Sequence, residues 1–381
     1  MRHRLIGLIC LIGLIGPISH LHAQDSTRIS LCLDGYLFFI DDEYFGRRIE
    51  GYTLPGFRLY PKVVWNNNKH LILSGGVSWL HYWGAYNYPN TMSYGVLPDY
   101  SDTSTLMHVV PWLQAKLIVA KGLTLTLGSI DPAEGHYLPI PLRDIERDVA
   151  ADPECGIMLS GWGNIGDWWY GAADWWIDWR EFIWNNSPRQ ERFTMGLSGH
   201  LDYDIPYSDL NIVLPLHFLA QHVGGQVLAT TTPIQNNFNA ASGLGVQYSW
   251  DDPWTIGLHC LAMWYHQHGN NAVPFTNGWG LYPMLKAVYK NRMGIELSYW
   301  QGERFVPLLG SWLYSNLSSV DDTTVFDRTQ MLSLYAYYNW KPQGEKFNFH
   351  IGGSAHYDIG ERQMQYAVRC ALSFYPSIRL H

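Results

Sequence analysis

Beyond its first two dozen residues this chain breaks at its turns into about sixteen short segments, in each of which apolar residues alternate with small or polar ones. Leu113-Gln114-Ala115-Lys116-Leu117-Ile118-Val119 shows the pattern, and Phe193-Thr194-Met195-Gly196-Leu197-Ser198-Gly199-His200 repeats it. A period of two sends successive side chains to opposite faces of a β-strand. One face here is aliphatic and aromatic; the other carries Lys, Gln, His and Gly. Two different solvents are implied, and lipid outside with water inside is the pair that fits a transmembrane β-barrel. Only 15% of the chain is charged while 15% is aromatic, which suits a barrel with aromatic girdles better than a soluble exported protein. A soluble β-sandwich would also alternate, but its polar face usually carries more Lys, Glu and Thr than this sparse, Gly-rich one.

The alternation predicts strands near 30–40, 56–66, 70–82, 107–119, 122–130, 156–162, 166–179 and 191–202. Further strands are expected near 208–219, 240–250, 253–266, 278–289, 292–301, 329–340, 346–358 and 362–375. The connectors switch regularly between short and long. Short links such as Ala120-Lys121-Gly122, Asp251-Asp252-Pro253 and Lys341-Pro342-Gln343-Gly344 are built from turn residues. Long links occupy about 41–55, 83–106, 131–155, 180–190, 220–239, 267–277 and 302–328, and only the last outer link, at Gly360-Glu361, is short. Short turns face the periplasm in such barrels and long loops face outside. The expected fold is therefore all-β: a transmembrane antiparallel up-and-down barrel of about sixteen strands, within a range of fourteen to eighteen.

Strand parity then sorts the side chains. Phe57, Leu59, Pro61, Val63 and Trp65 share one face, leaving Arg58, Tyr60 and Lys62 on the other. Phe347, Phe349, Ile351 and Tyr357 point outward, with Asn348, His350, Ser354 and His356 inward. A charge on the lipid face costs about 2–4 kcal/mol at the midplane. The mid-strand charges accordingly fall on the lumenal parity, where Arg58, Lys62, Lys116, Asp174, Asp178, Lys286, Glu296 and Arg369 are the pore-lining candidates. The long segment 131–154 is acidic and Pro-rich. Asp131, Glu134, Asp144, Glu146 and Asp148 are candidates for a constriction that faces the basic wall and sets up a transverse field; a solvated surface loop is the other reading of that segment.

At the N-terminus, basic Met1-Arg2-His3-Arg4 is followed by an apolar run from Leu5 to Ile15 and a short polar stretch to Ala23. This order is that of a secretory signal peptide, expected over 1–23, with the barrel domain over 24–381. Cys32, Cys155, Cys260 and Cys370 match no metal or disulfide spacing, and Cys260 and Cys370 take the lipid-facing parity. His266 and His268 flank Gln267 at a strand end without a carboxylate or Cys cluster, so no metal is expected. Among Trp168, Trp169, Trp175, Trp176, Trp179 and Trp184, half take the lipid parity of a girdle, and Trp176 with Asp174 and Asp178 is the remnant suited to a polar ligand. The net charge of −8 shows no basic patch and gives no reason to expect nucleic acid.

The order of leader, sixteen dyad strands, short inner turns and long outer loops resembles outer-membrane porins over most of the chain. The segment Tyr52-Thr53-Leu54-Pro55-Gly56-Phe57-Arg58-Leu59 and the loop from Gly128 through Pro132 to Cys155 are similar to porin-like barrels of Bacteroidota. Porins usually end on an aromatic residue, whereas this chain runs past Phe374-Tyr375 to His381, which either moves the end of the last strand or adds a short tail. The resemblance implies a channel in the outer membrane for passive diffusion of small hydrophilic solutes, with no cofactor. Outer-membrane lipids would surround it, with a homo-oligomer or a surface lipoprotein as further partners. A second reading is a closed barrel acting as a scaffold for lipoproteins or an assembly complex, in which a partner covers the apolar run from Phe305 to Leu313. An enzyme is the third and is not expected, because no local Ser/His/acid motif is evident.

Overall fold

The computed structural model describes residues 27–67, 70–83, 107–131, 136–145, 148, 152–181, 190–225, 234–250, 253–268, 273–321, 324–342 and 346–380. Sixteen antiparallel strands close into one barrel. They are β1 (Arg28–Glu43), β2 (Tyr52–Asn66), β3 (Leu71–Tyr82), β4 (Met107–Ala120), β5 (Leu123–Ile130), β6 (Glu154–Ile165), β7 (Trp169–Glu181) and β8 (Arg192–Asp204). The series continues with β9 (Leu210–Val223), β10 (Gln235–Trp250), β11 (Trp254–His268), β12 (Asn277–Tyr289), β13 (Met293–Glu303), β14 (Arg328–Trp340), β15 (Phe347–Asp358) and β16 (Gln363–Phe374). Each strand pairs with its neighbours in sequence, and β1 closes the ring by pairing with both β2 and β16. Closure leaves no free strand edge, which is the condition for β-structure in hydrocarbon.

Of the two readings of the C-terminus, it is the strand end that moves. A short segment, β17 (Ser377–Arg379), pairs with β1 at Cys32↔Ser377, in the same register as Gly35↔Phe374. It is the continuation of β16 across Tyr375-Pro376. Pro376 has no N–H to donate, but its carbonyl accepts from the Leu33 amide at 3.0 Å and keeps the ladder in step.

The outer face is apolar along the wall: Leu37, Phe39, Leu113, Leu117, Leu197, Leu258, Leu285, Leu297 and Leu334 are all exposed. Cys260 is exposed and Cys370 half-buried on this face, and all four described cysteines are free. The lumenal face holds the buried polar set. Arg58, Asp174, Asp178 and Glu296 are buried there, and Lys62, Lys116, Lys286 and Arg369 are half-buried on the same parity.

Two outer links turn into the lumen. Leu138 and Leu142 from the link 131–153, and Phe305, Val306, Leu308, Leu309, Trp312, Leu313 and Tyr314 from the link 304–327, form one buried cluster with wall residues Trp176, Tyr265, Tyr282, Trp300 and Met331. The run from Phe305 to Leu313 thus packs inside the barrel, whereas the second reading had a partner cover it. Asn239 on β10 clamps it as a neighbouring strand would, donating to the Val306 carbonyl (2.9 Å) and accepting from the Leu308 amide (2.8 Å). From the first outer link, Arg48 reaches Asp358 (2.9 Å), the Ser315 carbonyl (2.8 Å) and the Thr329 hydroxyl (2.8 Å), and stacks on Phe326. Room for the broad wall rings comes from facing glycines. A Cβ on Gly196 would stand 2.3 Å from the Trp176 ring, and one on Gly280 would stand 2.1 Å from Trp300.

Candidate functional site

A small cavity of about 40 Å³ lies under the inward-turned links, against the middle of β12–β16. Its wall side carries Glu296, Ser333, Ser354, His356 and Arg369; Tyr44, Ile145 and Leu313 from three outer links roof it. Strand register assembles it. Ser333 on β14 sits directly opposite His356 on β15, and Ser354 shares the face of His356 two residues earlier. Opposed residues on one face of an antiparallel pair are within side-chain reach. His356 Nδ1 is 2.8 Å from the Ser333 Oγ and its Nε2 is 3.0 Å from the Ser354 Oγ. A neutral imidazole offers one donor and one acceptor, so one serine donates to the ring and the other accepts from it. Arg369 on β16 brings the positive charge, held 3.4 Å from Asp42 on β1. A nucleophilic hydroxyl, a base within hydrogen-bond reach and a cation for developing negative charge are the parts acyl transfer requires.

A second serine–histidine pair, Ser198 on β8 and His217 on β9, is also formed by direct cross-strand pairing, with Oγ and Nδ1 2.7 Å apart. It lies at mid-barrel, with His200 and Asp202 on the periplasmic side of it. The first pair is nearer the outer surface and lines a cavity with a cation, so it is the better-equipped one.

The acidic segment enters the lumen. Asp144 and Asp148 are buried, and the Asp144 amide donates to Leu309 of the plug at 2.8 Å. Arg58 pairs with Asp131 at 3.1 Å, while Asp148 pairs within its own segment with Arg143. Glu134 and Glu146 lie outside the described residues, as does Trp184. Asp178 binds Arg180 and the Cys155 amide, and Lys62 binds Asp34 at 2.6 Å. Asp131 thus faces the basic wall at Arg58, and the other pairs form within one segment or between neighbouring strands.

The face of Trp176 expected to meet a ligand is occupied by His136, whose ring stacks on it at 3.9 Å and 4°. Glu154 stands 2.8 Å from His136 Nε2 and Asp174 3.7 Å from Nδ1. Burial opposes charge on this ring, but the two carboxylates outweigh it and raise its pKa from 6.5 to about 9. His136 and Tyr137 both adopt positive φ, 48° and 52°, a strained pair that the clamp holds in place. Among the described residues no group of three or more His, Cys, Asp or Glu is arranged to hold a metal ion.

These features define an outer-membrane β-barrel with two outer links packed into its lumen. A BenF-like porin from Pseudomonas fluorescens has the same kind of fold at 10% identity, with 94% of this chain and 100% of that one covered and a TM-score of 0.51. OpdK from Pseudomonas aeruginosa, solved with vanillate, is 11% identical over 92% of this chain and 99% of that one, with a TM-score of 0.49. At such identities the likeness is one of fold alone. No curated protein matches the chain. The sequence profile of one family matches residues 21–381, and the chain belongs to that family: Lipid A 3'-O-deacylase-type. Two expectations are thereby corrected. The diffusion channel is replaced by an enzyme-type family, and the expectation that the chain is no enzyme fails with it. The signal for a site was dispersed: Ser333 and His356 lie 23 positions apart and meet only through register.

Proposed function

We propose that this barrel is an ester hydrolase that removes an O-linked acyl chain from a lipid A-type glycolipid, with Ser333 as nucleophile and His356 as its base. The observation that carries the reading is the Ser333–His356 hydrogen bond beside Arg369, in a barrel of this family. In the first step Ser333 Oγ attacks the ester carbonyl while His356 takes the hydroxyl proton. Arg369 faces the oxyanion, and the sugar alkoxide leaves with the proton that His356 returns. Water then attacks the acyl-serine by the same route in reverse, releasing the fatty acid and restoring the hydroxyl. The rim is lowest at β15–β16, and entry there passes the first outer link, which Arg48 ties to Asp358. The link from β15 to β16 is the tight turn 359–362, so one wall of the cavity ends just beyond His356. Export is assigned to the leader at 1–23, and N-terminal sequencing of the membrane-inserted chain should begin at Gln24.

The test is mass spectrometry of lipid A from cells with and without the chain. Wild type removes one acyl chain. Ser333→Ala and His356→Ala cut the rate by about 10²–10⁴-fold while the barrels keep their heat-modifiable migration on gels. Unaltered lipid A in cells holding folded wild type would sink the reading.

A further inference from the structure

The outward-facing wall is apolar along its middle, and among the described residues polar side chains of outward parity gather at extracellular strand ends, as at Asp41 with Thr53 on β1–β2 and His222 with Asn236 on β9–β10. At the extracellular ends of β11–β14, the residues whose parity points toward lipid are His266, Asn277, Trp279, Glu303, Arg328 and Gln330. One to three rungs nearer the midplane the same faces return to Trp264, Leu281, Leu297 and Leu332, all exposed apolar side chains. The polar set is joined by its own contacts. The Trp279 indole N–H donates to Glu303 at 3.2 Å, and Glu303 accepts from both Nε (2.9 Å) and Nη2 (2.5 Å) of Arg328. His266 Nδ1 is 2.8 Å from the Asn277 Oδ1. With Nδ1–H donated there, its Nε2 is left as an acceptor directed outward.

We propose that this patch docks the saccharide headgroup of an outer-leaflet glycolipid, an inference that rests on the hydrolase reading above and names where its substrate is held. An indole face exposed at 38%, flanked by a carboxylate, a guanidinium and an amide already fixed in position, matches the C–H face and hydroxyl edge of a sugar ring. Arg328 is neutralised by Glu303, so the pair offers donors and acceptors to hydroxyls rather than net charge to a phosphate. The hydrocarbon band directly below fixes the occupant as a lipid whose acyl chains run down the wall. β14 carries Arg328 outward, and its neighbour β15 carries His356 inward beside the low rim. A headgroup seated on β11–β14 therefore stands next to the entry to the serine–histidine cavity.

The experiment uses the full-length barrel in phosphatidylethanolamine nanodiscs titrated with lipid A, and with lipid A whose phosphates have been removed. Trp279→Ala and Arg328→Ala should each weaken binding by about tenfold, the loss expected of one stacking or bidentate contact. Trp279→Tyr should restore most of it, and Trp175→Ala on a distant wall should change nothing. Under turnover the same two variants raise KM and leave kcat unchanged. Removal of the phosphates should leave affinity within about threefold. Equal affinity of wild type and both folded variants overturns the site, and loss of binding on dephosphorylation overturns the saccharide assignment. A barrel that binds lipid A through these residues but leaves its acyl chains intact sinks the hydrolase reading and keeps the docking site.

Discussion

His136 shows how much of the plug depends on single side chains. Two consecutive residues at positive φ, His136 and Tyr137, cost of the order of 1–3 kcal/mol each. Stacking on Trp176 and the contacts to Glu154 and Asp174 offset that cost only while the ring is charged. Its folded pKa of about 9 lies above the ordinary 6.5. The unfolded segment therefore releases the proton first as pH rises. The extra stability is complete below about pH 6.5, shrinks between 6.5 and 9, and is gone above 9; a shift of this size corresponds to roughly 3 kcal/mol. Limited proteolysis of the folded barrel should cut the segment 136–145 faster as pH goes from 6 to 10. His136→Gln should be cut readily throughout with a flat profile. A wild-type profile that is equally flat would rule out the clamp. None of this was legible in the amino acids, since the ring meets Trp176 only after the loop has turned inward; the sequence showed a lumenal Trp beside two acids and could not show what fills its face.

At the scale of elements, the strands were legible and the links were not, for one physical reason. Alternation is a local consequence of a wall between two solvents, so each strand announces itself within ten residues. The sixteen expected strands correspond to the sixteen observed, with shifts of a few residues at the ends, as where β10 starts at Gln235. An apolar run inside a link carries no such local sign. Phe305 to Leu313 reads the same whether it meets a partner outside or the lumen inside, and Asn239, 66 or more positions earlier, decides the matter. Ser333 and His356 likewise required a register that one strand cannot report. Parity does make a quantitative prediction for the wall. Leu297 on β13 is exposed on the lipid face while its neighbours Glu296 and Ser298 are buried in the lumen. Leu297→Arg should lower the unfolding free energy in vesicles by about 2–4 kcal/mol, measured by urea titration, with Leu297→Ala costing much less. A neutral outcome for the arginine would mean that this face does not meet hydrocarbon.

For the whole molecule, wall and filling are separate structures joined by covalent links. Closure rests on the ring of strand pairings, whose contacts lie within the wall from β1 round to β16. The plug adds side-chain packing in the lumen, the Asn239 clamp and the Arg48 network. Sixteen strands enclose an aqueous channel when the lumen is empty. Here the buried rings of Phe305, Trp312 and Tyr314 and the segment 136–145 stand across that path. The intact barrel in a planar bilayer should therefore show no steady conductance at moderate voltage. Removing residues 305–314 shortens the link between β13 and β14, and loop length enters the closure entropy only logarithmically. The wall should accordingly still assemble, with the heat-modifiable migration of wild type, and now pass ohmic current. The same deletion takes Leu313 and Tyr314 from the roof of the serine–histidine cavity, so hydrolysis should fall as conduction appears. Steady current through the intact chain would mean that the filling is not a seal. A silent, folded deletion variant would place the barrier in the segment 136–145 instead.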